Sequence, residues 1–388
     1  MSTLISFLGR GDRQKGYRSA NYVFTDGTQI QSQYIGLALI EKIQPERLVV
    51  LGTTGSMWDV FFEHQDSGTD EQLIQLMESI ETETLTQEQL KPFSEYLSTK
   101  LQIVVECILI PHARNDKEQV AVLSSLSNRL DTRESVVLDV THGFRHLPML
   151  ALVAARFLQK TKQITVEQIY YGALEMTEEG KTPVLLLSSM LNLLDWVEAL
   201  SSYDKDGDYS VFADLLQKDG LADHMADQLR QAAFFERTTN SSKAAEKIGT
   251  VLNALEGMTT PVFDLFKSQL QKRLNWAKTP NRGVREQRLA WAYLERRDYV
   301  RAVIYGLEGM ISSQVSKSGL SPNDFAARHT EKEWLRKESE SFKRLNQLRN
   351  SLAHGNQPEP HQRDALSALS DEKRMQQSLK DRFEHLLD

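Results

Sequence analysis

The sequence predicts an open α/β domain built on a parallel sheet, followed by an all-helical second half. Three observations carry this. From residue 3 to about residue 187, short apolar runs alternate with stretches of helical period, the order of strand, crossover helix and parallel strand. Several of these runs are apolar at consecutive positions, as a sheet covered by helices on both faces requires. Beyond residue 187 the β-branched runs stop and helical periods follow one another to the end. A chain of 388 residues exceeds a single ordinary core, so the reading is two domains, 1–195 and 196–388.

Taken in order, strands are expected at residues 4–8, 48–51, 103–110, 136–140, 169–171 and 184–187, each a short apolar run bounded by polar or glycine residues. Helices are expected between them at 35–42, 71–81, 87–100, 117–130 and 147–160, where apolar residues recur at helical spacing. The second half predicts helices at 190–200, 212–218, 222–236, 241–255, 262–276, 285–295, 300–311, 334–351 and 363–387. Residues 202–209 read as a polar turn. Its DKDGD suggests a calcium loop, but the twelfth position counted from Asp204 is Leu215, which supplies no carboxylate.

Composition excludes several classes. With 40% hydrophobic and 26% charged residues the chain is neither disordered nor low-complexity. No apolar run reaches the ~18 residues of a membrane span, and the N-terminal apolar stretch has no basic region before it and reads as a strand. No membrane association is expected, and the lone Cys107, inside an apolar run, excludes a disulfide framework and a cysteine zinc site. A reducing cytoplasm fits. The net charge of −7 means that any nucleotide or RNA site must be local.

In a parallel α/β sheet the ligand sits beyond the carboxyl ends of the strands. There the chain places Gly9-Arg10, Thr53-Thr54-Gly55-Ser56, Asn115, and Thr141-His142-Gly143-Phe144-Arg145. Glycines let backbone amides approach an anion, and Thr, Ser, His and Arg add donors, so the rim reads as phosphate-facing. The third glycine position of a dinucleotide fingerprint is Gln14, and no P-loop pattern occurs, which argues against a nucleotide-dependent metabolic enzyme. Trp58, Tyr170 and Tyr171 suit either base stacking or the core.

The second candidate is Arg349-Asn350-Ser351-Leu352-Ala353-His354-Gly355, a helix end with Gly355 as its C-cap. His354 can move a proton at the 2′-hydroxyl or the leaving oxygen, Arg349 can stabilise charge on the phosphate, and Asn350 adds a donor. This chemistry needs no metal. Lys332, Arg336, Lys337, Lys343 and Arg344 form a basic cluster that reads as an RNA surface or a solvated helix face.

LGTTGSMWD after the second expected strand, DVTHGFRHLP after the fourth and the late RNSLAHG together resemble the CRISPR-associated CARF and HEPN ribonucleases of type III systems. The resemblance implies a Rossmann-like CARF domain and a helical HEPN domain. It implies a cyclic oligoadenylate activator, the cyclic tetra-adenylate foremost, bound by the rim residues named above. It also implies metal-independent cleavage of single-stranded RNA by Arg349, Asn350 and His354, in a homodimer that can assemble further. The competing expectation is a nucleotide sensor whose helical half is a non-catalytic interaction domain.

Overall fold

The computed structural model describes residues 2–10, 19–143, 146–355 and 362–384. The chain divides into two compact units, Met1–Leu191 and Asn192–Asp388, and the division falls within the helix Ser189–Asp206.

The first unit is a mixed sheet of eight strands among the described residues: β1 (Ser2–Leu8), β2 (Ala20–Val23), β3 (Gln29–Ser32), β4 (Arg47–Gly52), β5 (Val104–Leu109), β6 (Ser135–Asp139), β7 (Thr165–Gly172) and β8 (Lys181–Leu186). Their spatial order is β3-β2-β8-β7-β6-β1-β4-β5. The run from β7 to β5 is parallel throughout, as the alternating pattern predicts. Thr3 to Leu8 of β1 and all of β4 are buried, as expected for central strands covered on both faces.

The sheet departs from the expectation in two places. β8 runs antiparallel to β7, because the few residues between them cannot make a parallel crossover. The hairpin β2–β3 is an addition: Asp26-Gly27, with Gly27 at a φ of 86°, is the turn signal that marks it, but the flanking strands are only four residues each. At the amino ends of the strands Arg47 donates to Thr3 Oγ1 (3.0 Å) and Glu134 Oε1 (2.8 Å), while Asp131 N donates to Glu134 Oε2 (2.7 Å). This buried cluster ties β1, β4 and the entry to β6 at the end opposite the candidate rim.

The second unit is helical around one core that includes Trp196, Tyr209, Phe212, Phe263, Tyr293, Tyr305 and Phe342. Three expectations change here. The helix expected at 334–351 is two, Phe325–Glu338 and Glu340–His354, divided at Ser339, whose extended backbone and hydroxyl cap the second. The last expected helix is also two, Arg363–Leu369 and Glu372–Glu384. The expected turn at 202–209 is helical to Asp206 and reverses at Gly207, φ 75°; Asp204 there is held by the Arg273 guanidinium. No helix among the described residues is long and apolar enough to cross a membrane.

Candidate functional site

β1 lies between β4 and β6, so the loops leaving these three strands meet at one edge. Their approach is close: a Cβ on Gly9 would stand 2.7 Å from the backbone nitrogen of Gly143, which is itself at a φ of 110°. Gly9 O accepts from Met57 N (3.0 Å), and Ser56 Oγ donates to Leu8 O (2.8 Å) while accepting from Thr53 N (2.9 Å). Thr141 Oγ1 accepts from Gly172 N (2.7 Å). Gly9, Thr53 to Ser56 and Thr141 to Gly143 therefore form one backbone-lined edge. Arg10 is exposed beside it, close to Gly55.

Beneath this edge lies a polar chain that the sequence reading did not include. Asp139, fully buried, accepts from Ser6 Oγ and from Thr141 N (2.9 Å). Ser6 Oγ also meets Tyr34 Oη (2.6 Å), and the Tyr34 ring stacks on His142, with centroids 5.4 Å apart. Burial lifts the Asp139 carboxyl to about 6, against the lowering effect of its hydrogen bonds from Ser6 and Thr141. Burial pushes His142 down to about 4, so at neutral pH its imidazole is uncharged and offers the rim a hydrogen bond and not a cation. An aspartate closing the apolar run Val136 to Leu138 is the signal that could have singled out Asp139.

Other rim candidates have different positions. Asn115 caps the helix Asp116–Ser127: its Oδ1 accepts from Glu118 N (3.0 Å) and its Nδ2 donates to Glu118 Oε1 (3.0 Å). Trp58 is fully buried and donates to Thr53 O (3.0 Å), so it braces the second loop from within and presents no stacking face. Tyr170 and Tyr171 are half-buried. Phe144 and Arg145 lie outside the described residues.

In the second unit the helix Glu340–His354 buries Phe342, Leu345 and Leu348 and exposes Arg349, Asn350 and His354. It ends at Gly355, whose left-handed φ of 63° makes the C-cap. An offset of five helical positions separates Arg349 and His354 by about 140° of rotation and about 7.5 Å of rise, whereas Asn350 and His354, four apart, share a face. Arg349 donates to Asn350 Oδ1 (2.9 Å), so Asn350 stands between the other two. The basic cluster is largely committed elsewhere: Arg336 pairs with Glu333 (2.6 Å), Lys343 with Glu340 (2.6 Å) and Arg344 with Asp364 (2.9 Å).

Residues 3–175 match the family described as CRISPR system endoribonuclease Csx1, CARF domain. The chain is also 25% identical over 278 residues to the CRISPR-associated protein MJ1674 of Methanocaldococcus jannaschii. That similarity covers 65% of this chain and 43% of the relative, so the chain spans less than half the length of the curated relative it matches.

Proposed function

We propose, from the CARF-domain match of residues 3–175 and the similarity to a CRISPR-associated protein, that the chain is a CARF-containing ribonuclease of type III CRISPR defence, activated by cyclic oligoadenylate. The loop edge of the first unit takes the ring. Its phosphates meet the amides around Gly9, Thr53 to Ser56 and Gly143 and the exposed Arg10, while neutral His142 donates from its stack on Tyr34.

Cleavage belongs to Arg349, Asn350 and His354. One imidazole takes the proton of the 2′-hydroxyl, O2′ attacks the adjacent phosphorus, and the bond from phosphorus to O5′ breaks as O5′ receives a proton. The products are a 2′,3′-cyclic phosphate and a 5′-hydroxyl, with no metal in the step. Arg349 meets the charge that builds on the phosphate oxygens. A homodimer would supply one His354 as base and its mate as acid. The observation that carries the reading is the pairing of a CARF domain with an exposed helix end that presents Arg349, Asn350 and His354. The test is cleavage of a fluorescent single-stranded RNA with and without each cyclic oligoadenylate ring size, in excess chelator. Cleavage stimulated by the tetra-adenylate ring, leaving cyclic phosphate ends, is expected. No cleavage with any ring would reduce the protein to a nucleotide sensor.

A further inference from the structure

A groove in the second unit, between the end of helix Ser189–Asp206, the segment from Gln269 to Trp276 and helix Arg282–Glu295, has a volume of about 440 Å³, within the range of small-molecule sites at ~300–1,000 Å³. Its charge runs against that of the whole chain. Lys272, Arg273, Arg288 and Arg296 line it, against Asp204 and Glu295. Asp204 is already engaged by Arg273 (2.7 Å). Lys272, Arg288 and Arg296 make no ion pair among the described residues, in contrast to the paired cations of residues 333–344.

The groove is also rich in donors that lack acceptors. Trp276, 8% exposed, lines its floor, and the buried indole N–H has no partner among the described residues; the same holds for the Nε–H of Arg296. The Arg296 guanidinium lies 4.6 Å from the Tyr203 ring centroid and 5.6 Å from that of Tyr293, so aromatic faces hold it, with the buried Glu236 carboxyl acting on it only through space. A ligand for this groove must bring acceptor oxygens, negative charge and a flat ring that can lie on a guanidinium plane. A nucleotide unit has all three.

We propose that this groove binds a nucleotide unit of single-stranded RNA, as a docking site separate from Arg349 and His354. The strand's phosphates meet Lys272 and Arg288, a base stacks on Arg296, and acceptor oxygens satisfy the Trp276 and Arg296 donors. The identity of the strand rests on the ribonuclease reading; the demand for acceptor oxygens and charge does not.

The experiment uses the full chain carrying His354→Ala, so that RNA survives, with labelled short oligo-uridylate followed by fluorescence anisotropy from about 50 to about 200 mM salt. Adding Lys272→Glu and Arg288→Glu, both at exposed positions, should weaken binding by about 10-fold or more at the low salt. The logarithmic salt dependence should become shallower by about 1.4, the value for two lost single-strand phosphate contacts. Trp276→Phe, which keeps the packing and removes the donor, should weaken binding a few-fold without changing that slope. Unchanged affinity and slope in the charge variant would overturn the site. If uridine monophosphate or inorganic phosphate binds as tightly as the oligonucleotide, the groove is a free-nucleotide or phosphate site and the RNA assignment falls. A parent chain that cleaves no RNA, with variants that still lose RNA binding, would sink the ribonuclease reading and keep the groove. A parent that cleaves, with the same two charge substitutions made in a chain that keeps His354 and matching the parent's KM, would do the reverse.

Discussion

His354 sits on the exposed side of a helix whose other side is buried, so its ring can be removed without opening a cavity. His354→Ala should therefore keep the parent's circular dichroism while cleaving RNA at least ~10²-fold more slowly, the loss expected when proton transfer is unassisted. Parent-like rates in that variant would remove His354 from the chemistry. Glu236 makes a different kind of prediction. It is buried, accepts from Tyr293 Oη (2.7 Å), and burial raises its carboxyl from 4.5 to about 7. Between those values the unfolded chain has released a proton that the folded chain still holds, so stability should fall as pH rises from 4.5 to 7. The loss from this one group is of order 3 kcal/mol. Urea unfolding across that window should show Glu236→Gln with a shallower decline than the parent, and parallel curves would refute the assignment. Asp139 acts in the same direction over a lower window, from 3.8 to about 6.

At the scale of elements, the loop edge exists because three parallel strands end together and their loops touch. Gly9 is the narrowest point, since a Cβ there meets backbone and not a movable side chain. Gly9→Ala should push the loops after β1 and β6 apart and weaken binding of cyclic tetra-adenylate by ~10-fold or more in calorimetry, about 1.4 kcal/mol. Equal affinity would show that the ring does not use this edge. The opposite end of the same strands is structural. Glu134→Ala removes the buried carboxylate partner of Arg47, leaving it Glu106 at 3.4 Å, and should cost about 3 kcal/mol in urea unfolding without altering ring affinity per folded molecule. The helix cap Asn115 offers a third contrast: both ends of its amide engage Glu118, so Asn115→Ala should cost ~1 kcal/mol of stability.

For the whole molecule the expected behaviour is a homodimer, because a cyclic ligand with rotational symmetry suits a pocket presented twice by an isologous interface. The tetra-adenylate ring should stimulate cleavage by at least ~10-fold, which needs about 1.4 kcal/mol of preference between two states. A monomer in sedimentation that cleaves at full rate without ligand would contradict both. The sequence by itself determined the α/β-then-helical plan, most strand positions and the loops that bear glycine. Those follow from local periodicity and from where apolar runs stop, and both can be read without knowing what packs against what. Only the tertiary structure decided that β8 turns antiparallel, that Asn115 caps a helix and that Trp58 is core. It also decided that a buried chain from Asp139 through Ser6 to Tyr34 underlies His142, and that the cations of residues 333–344 are largely paired while, among the described residues, Lys272, Arg288 and Arg296 make no ion pair. The reason is physical. Which donor finds which acceptor, and which charge keeps its carboxylate, depends on residues separated by tens of positions that only packing brings within 3 Å of one another.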